Sequence, residues 1–312
     1  MTVALRRDDP RHYTPGDLPR ELQRFDVPVE PIDVGRPGKV GLLELTFAPR
    51  AGATRVIHQF QQMPLQVFRP IYLDPCRPDM AFVYIFSHGG TLAGDRYRID
   101  LRCEPSAMAH VTTQVATRLY RMEQNYATQM VHITVGADAV LEYLPDPVIP
   151  FRDSRFYGRT VLTVDPTACV ILGETLLPGR VAHGEQHAYA LFWSTTEACS
   201  TDGTLLFSDM LRFEPATTAL NTPGRLGSHA VLATLYIVTR RHDARSLADH
   251  LHATMAMQPD IIAGASSLPN DSGAALRILG PTSRAVGAAL HAAWSAARLV
   301  VLGAPAPDRR KR

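Results

Sequence analysis

From Val40 onward the hydrophobic and polar positions alternate with a period of two, which predicts extended strands. Val111, Thr113, Val115, Thr117 and Leu119 fall on one side of an extended segment, with Thr112, Gln114, Ala116, Arg118 and Tyr120 on the other. Val131, Ile133 and Val135 alternate with Met130, His132 and Thr134. A Gly136-Ala137-Asp138 turn follows, then a return strand from Ala139 to Leu144. The same reading gives strands over 160–164 and 168–172 about an Asp165-Pro166-Thr167 turn. It gives another pair near 189–196 and 205–212 about Asp202-Gly203. Helical spacing appears only late. Leu247, Leu251 and Met255 recur every four residues between Ser246 and Met257. A hairpin turning at Asn270-Asp271-Ser272-Gly273 follows. A last helix runs from about Pro281 to Leu302, with Val286, Leu290, Ala293, Ala297 and Val300 as its buried stripe and Gly303 as its stop. The pattern predicts a mainly β protein, sheet packed on sheet, with two helices near the C-terminus and no internal sequence repeat.

The flanks lack this periodicity. Residues 1–37 are rich in Pro, Arg and Asp and read as a flexible arm, 38–303 as one domain, and 304–312 as a basic tail. The 46% hydrophobic content supports a sizeable core, while a formal net charge of +2 predicts no nucleic-acid partner. Only Lys39 and Lys311 among the 32 basic residues are lysine, so arginine is the cation available to internal carboxylates. Cys76, Cys103, Cys169 and Cys199 are too far apart for a CxxC motif and read as reduced thiols. Arg6-Arg7 is followed by Asp8, Asp9 and Pro10 rather than an apolar run, and no stretch approaches 18 uninterrupted apolar residues. A soluble, cytoplasmic protein without a membrane span is expected.

The candidate chemistry lies between Gly89 and Phe151. Gly89-Gly90-Thr91-Leu92-Ala93-Gly94-Asp95 follows an apolar strand but lacks the lysine and helix of a phosphate loop. It reads as a tight turn, with Asp95 capping it or lining a polar path. Glu142 sits among large apolar residues, so burial demands a partner such as Arg118, Arg121 or Arg159. Asp146 is held between Pro145 and Pro147. That suits a rigidly presented metal or partner contact, and equally an exit loop. Glu174, in another apolar run, either lines a hydrated passage or pairs with Arg180, and Glu185 follows soon after. His183 and His187 are four apart with Gly184 between them in a strand or turn region, and His58, His88, His110 and His132 are isolated. No preformed metal site is expected. There is no nucleophile elbow or Ser-x-x-Lys, and Glu142, Asp146 and Glu174 show no spacing that compels glycosidase chemistry.

Three signatures in this order resemble one family. They are Gly89–Asp95; Thr112-Thr113-Gln114-Val115-Ala116-Thr117-Arg118-Leu119-Tyr120-Arg121; and Leu141-Glu142-Tyr143-Leu144-Pro145-Asp146-Pro147-Val148-Ile149-Pro150-Phe151. The family is that of the urease accessory proteins called UreD, or UreH in some bacteria. The similarity spans about 40–303 and is densest over 80–185. Echoes are Gln62-Met63-Pro64-Leu65 and the helix around Trp294, Arg298 and Gly303; the ends depart from the pattern. The resemblance implies a two-layer, β-helix-like sheet assembly with two helices and no catalytic activity. It implies a complex with UreF, the GTPase UreG and apo-urease, with nickel(II) as a transient cargo and no tightly bound cofactor. Asp95, Glu142, Asp146, Glu174, Arg180 and Glu185 are then the candidates for a nickel passage or partner contacts. Gly89, Gly90, Gly94, Gln114, Tyr120, Pro145 and Pro147 would shape the motifs. A carbohydrate-active enzyme using Glu142, Asp146 or Glu174, or an interaction module without metal, are the other readings.

Overall fold

A computed structural model of the chain describes residues 7, 9–27 and 38–309. The backbone is wound as a flattened coil that passes alternately through a front and a back sheet. A short helical turn, α1 (Arg20–Gln23), precedes the hairpin of β1 (Val40–Arg50) and β2 (Ala53–Gln62), which opens the front sheet; β3 (Leu65–Val67) and β4 (Ala81–Ser87) open the back sheet. The coil then alternates. β5 (Arg96–Cys103), β8 (Ala127–Val135) and β11 (Arg155–Val164) lie in front. β6 (Met108–Thr113), β9 (Val140–Tyr143) and β12 (Cys169–Leu176) lie behind, and the short β7 (Thr117–Leu119) and β10 (Val148–Pro150) occupy the connections. A hairpin of β13 (Leu191–Ser200) and β14 (Leu205–Phe213) closes the front sheet. β15 (Val231–Thr239), β16 (Ile262–Ser267) and β17 (Gly273–Gly280) close the back sheet, which α2 (Ala244–Ala256) and α3 (Ser283–Leu302) cover. Within the coil each strand is parallel to the strand one coil earlier: β5 to β8, β8 to β11, β6 to β9, and β9 to β12. The expected mainly β, β-helix-like assembly is what the chain forms.

The hairpins at Asp202-Gly203 and at 270–273 form as expected. Those at Gly136-Ala137-Asp138 and Asp165-Pro166-Thr167 do not. In both, the chain crosses to the other sheet, so the strand after the turn packs across the core from the one before it. Three such corners stack: 104–107, 136–139 and 165–168. Each closes with a bond from the alanine N–H to the first carbonyl: Ala107 to Glu104 (3.0 Å), Ala139 to Gly136 (3.1 Å) and Ala168 to Asp165 (2.9 Å). All three alanines are buried, and corner bonds to corner, as in Val140 N to Ala107 O and Cys169 N to Ala139 O, both 2.9 Å. The extended segment 111–119 is also interrupted: β6 ends at Thr113, Val115 is exposed, and β7 begins a new direction.

Residue alternation decides which layer each side chain enters. Ile99, Leu101, Val131, Ile133, Leu141, Tyr143, Val170 and Leu172 fill the space between the sheets. Val140, Cys169 and Ile171 on the opposite face pack under the helices with Leu247, Leu251 and Met255 of α2. Each such aliphatic side chain removed from water contributes roughly 1.5–3 kcal/mol. β15 is covered on both faces, so it is buried along its whole length. α3 is capped by Thr282, whose hydroxyl accepts from Ala285 N (3.2 Å), and ends at Gly303 in the left-handed region (φ 65°). By length and composition α3 would also suit a membrane span; packing of Val286, Ala289, Ala293 and Ala297 onto the sheet accounts for its apolar character. All four cysteines are unpaired.

The segment read as an arm has a described part, and that part is docked. Leu22 is fully buried with Tyr126, Tyr157, Leu191 and Trp193 on the outside of the front sheet. Thr128 Oγ1 donates to Tyr13 O (2.9 Å) and Arg98 Nη1 to His12 O (2.8 Å). Of the basic tail, Arg309 is described: its guanidinium lies 5.5 Å from the centre of the Trp294 ring, and its carbonyl accepts from the Tyr84 hydroxyl. Arg310, Lys311 and Arg312 lie outside the described residues.

Candidate functional site

The coil returns from back to front through four connections, 88–95, 114–126, 144–154 and 177–190, which hold most of the motif residues. The three signatures meet there because the coil stacks them. Thr91 N donates to Arg118 O (2.8 Å), Tyr120 N to Thr91 O (2.9 Å), and Phe151 N to Leu119 O (2.9 Å). Gly89 and Gly94 adopt positive φ (85° and 76°), which lets the first connection turn sharply. Gly90 lies flat against Tyr120: a Cβ there would stand 2.6 Å from the ring. Tyr120 in turn contacts Phe151, ring centres 5.2 Å apart, and Arg180 lies 4.2 Å from the centre of the Phe151 ring. Gly90→Ala is therefore expected to lower unfolding stability by roughly 1–3 kcal/mol, the usual cost of overpacking. Tyr120→Leu in the same chain should recover part of it. A melting temperature for Gly90→Ala equal to wild type would show that the ring moves aside freely.

Asp95 closes this end from inside. It is fully buried, and its carboxylate accepts from Lys39 N (2.8 Å), Leu92 N (2.9 Å), the Tyr97 hydroxyl (2.7 Å) and Lys39 Nζ (3.3 Å). Arg180 Nε donates to Glu185 Oε2 (2.9 Å), and the same oxygen accepts from Arg152 N (3.2 Å). The bonds from Arg180 hold the Glu185 carboxyl at about 2. Arg180 thus pairs with Glu185 and not with Glu174, the partner considered from sequence. Gln114 is exposed beside Val115, its N–H donating to Ile85 O (2.9 Å).

Behind these connections a narrow cavity runs between the sheets, with about 80 Å³ open to water centres. Roughly 10–15 Å³ of that measure holds one water, so several fit. Asp146, Pro145 and Glu174 line it, together with Thr91, Thr113, Gln129, Ser194 and Thr196. Pro147 on the far side of Asp146 accepts from Thr117 N (3.0 Å), and Asp146 N donates to Thr113 Oγ1 (2.8 Å), so the carboxylate is presented from a pinned loop. Glu174 has no ion-pair partner among the described residues. Burial raises its pKa and a bond from Ser194 opposes the rise. Tyr143 also lines the cavity, and its buried hydroxyl has no hydrogen-bond partner among the described residues. The rest of the wall is apolar, with Leu65, Ile85, Ile99, Val131, Phe156 and Leu172, so the carboxylates, hydroxyls and amide form a polar patch where water or a weakly held cation finds oxygen ligands.

Comparison with known proteins agrees with the stacked signatures. The family model described as UreD urease accessory protein matches residues 39–312. The chain belongs to the UreD family. It is 44% identical over 280 residues to urease accessory protein UreD 2 of Streptomyces griseus, covering 89% of this chain and 95% of that protein. Identity to urease accessory protein UreD 2 of Brucella suis is 40% over 292 residues, 93% and 97% of the two chains. For UreD of Haloarcula marismortui it is 38% over 279 residues, 89% and 92%.

In this UreD-family chain Glu142 lies apart from Asp146 and Glu174. Leu141 and Tyr143 point between the sheets, so Glu142 points the other way, under α3. There it receives Arg298 Nη1 (2.8 Å) and contacts His110 Nδ1 (2.7 Å), while Arg298 Nη2 also bonds Asp74. His110 is stacked on Phe82 and flanked by Trp294. The arginine partner is thus Arg298, not Arg118, Arg121 or Arg159. Arg121 instead pairs with Asp153 (3.3 Å), and Arg159 with Glu197 (3.0 Å) and Asp17 (3.2 Å). This placement also removes Glu142 from any carboxylate pair with Asp146 or Glu174, because a sheet separates them. Asp74 and His110 carried no signal in the sequence as members of this cluster. For Arg298 the signal was a lone charge set in the apolar stripe of a helix, which burial obliges to find an anion.

Proposed function

We propose that the chain is a non-catalytic scaffold in urease maturation. In this reading it acts in the cytoplasm with UreF, UreG and apo-urease, and nickel(II) is its cargo. The observation that carries the reading is the match to the UreD family over 39–312. The carboxylates on the wall of the cavity between the sheets support a route for the cargo. Asp146 and Glu174 offer oxygen ligands from two separate elements, so a hydrated divalent ion would be attracted without being enclosed. A loosely held ion leaves, whereas a closed site would trap it. Asp95 is saturated by four donors and Glu142 by Arg298, so neither has a role in the route on this reading; they hold the frame.

The test is Asp146→Asn together with Glu174→Gln, assayed for solubility, capture of UreF, and nickel content of urease matured in the same cells. The expected result is an intact complex with nickel delivery reduced about tenfold or more. Wild-type nickel loading in the double variant would sink the route. Stability supplies an independent readout. The folded pKa of Glu174 is raised, so its neutral form suits the folded state, and stability declines as pH rises through that pKa. Glu174→Gln should remove this decline, leaving its melting temperature equal to wild type in acid and higher in mild base. Parallel melting curves across pH would show that Glu174 is fully hydrated.

A further inference from the structure

Four polar side chains stand out on the outer face of the front sheet. Strand register sets Glu44 of β1 beside Asp100 of β5, and Asp100 beside His132 of β8, so the three form one rung across adjacent strands. His132 Nδ1 lies 3.4 Å from Asp100 Oδ1, and His58 Nε2 on β2 lies 3.1 Å from Glu44 Oε2. The N-terminal segment then lays His12 over the rung. One ligand atom from each of His12, Glu44 and Asp100 falls within 4.8 Å of the others.

His12 is the decisive residue. It is only 7% exposed, and neither ring nitrogen has a hydrogen-bond partner among the described residues. The nearest carboxylate oxygen, Asp100 Oδ2, is 3.9 Å from Nε2, beyond bonding distance. A buried imidazole with both nitrogens unsatisfied is costly unless something polar meets it. Its backbone is fixed by the Arg98 bond to His12 O, so the ring is aimed at the carboxylates by construction.

We propose that His12, Glu44 and Asp100 form a peripheral site for a first-row divalent transition cation of the nickel or zinc kind. One imidazole and two carboxylates match that class of ion. Ligands sit about 2.0–2.2 Å from such a metal, so the three groups need to close by roughly an ångström. Glu44 is now held by Arg7, at 2.9 Å and 2.5 Å, and Asp100 by Arg98 Nε, at 2.9 Å to each oxygen. Arg7 is the more exposed of the two and leaves when the ion arrives; Arg98 remains, because its second nitrogen anchors His12 O. His58 bonds Glu44 from its outer side, as groups beyond a metal's own ligands commonly do, and His132 stands beside Asp100 without a hydrogen bond to it. Leu43, Leu45, Ile99 and Leu101 point between the sheets, so Glu44 and Asp100 face outward, and the site is separate from the cavity that Asp146 and Glu174 line.

The experiment titrates the purified, metal-free full-length chain with nickel(II) alone and with zinc(II) alone by calorimetry. Cobalt(II) absorption serves as a check on nitrogen ligation. His12→Gln, which keeps the size and polarity of the side chain, is expected to weaken one equivalent of binding at least tenfold with its melting curve unchanged. Arg7→Ala should tighten the same equivalent severalfold by releasing Glu44, and the Asp146→Asn, Glu174→Gln chain should keep it. Binding by His12→Gln equal to wild type in affinity and stoichiometry overturns the site and leaves an ion-pair network only. So does an Arg7→Ala chain that binds no more tightly.

Discussion

Arg298→Met is expected to be severely destabilising, by about 3–5 kcal/mol, against a total stability that for most proteins is about 5–15 kcal/mol. Arg298 is fully buried and is the shared cation of Glu142 and Asp74, both also buried. Its third nitrogen donates to Pro305 O (3.1 Å), so the same side chain fixes the turn after α3. Removing it strands two carboxylates beneath a helix, with His110 the neighbour left to Glu142. The cost comes from the uncompensated charge more than from lost packing, since methionine fills much of the volume. A triple change, Arg298→Met with Glu142→Gln and Asp74→Asn, should therefore recover most of the stability. Urea unfolding of the three chains measures this. Equal losses in the single and triple variants would show that packing, not charge, is what the arginine supplies.

Asp95→Ala should cost about 3–4 kcal/mol. Two backbone N–H groups and the Tyr97 hydroxyl donate to the carboxylate, and each group left buried without a partner costs roughly 1–3 kcal/mol. Burial, with the Asp95 charge adding, pushes the Tyr97 hydroxyl well above its ordinary pKa, so it remains a donor at every working pH. Asp95→Asn keeps one acceptor oxygen and should lose about half as much. Denaturant midpoints for both variants decide the matter. A loss below about 1 kcal/mol for Asp95→Ala would mean that water enters and takes over the four bonds.

Much of the fold was legible because alternation is a local property. The strands around Val131, Ile133 and Val135 and the α2 stripe Leu247, Leu251, Met255 follow directly from side-chain period. The corners were misread for a physical reason. Gly136-Ala137-Asp138 and Asp165-Pro166-Thr167 carry the chemistry of a tight turn, and that chemistry is the same whether the next strand returns beside the last one or crosses to the facing sheet. The recurring signal was finer: a buried alanine ending each corner, at 107, 139 and 168. The place of Asp146 on the cavity wall was legible because rigidity is written into the chain at Pro145-Asp146-Pro147. The site was illegible where partners are remote, since Arg298 is 156 residues from Glu142. His12, Glu44, Asp100 and His132 come from four separate segments: the register of β1, β5 and β8 gathers the last three, and the docked N-terminal segment adds His12.

The bond from Arg298 to Asp74 joins residues 224 positions apart, and this imposes an order on biosynthesis. Strands of the coil can stack as they leave the ribosome, because each needs only its predecessor. Asp74 and Glu142 meet their arginine only after α3 has been translated. A chain stalled or truncated before that point carries two acids facing an uncovered apolar sheet, a surface that chaperones and proteases can recognise as unfinished.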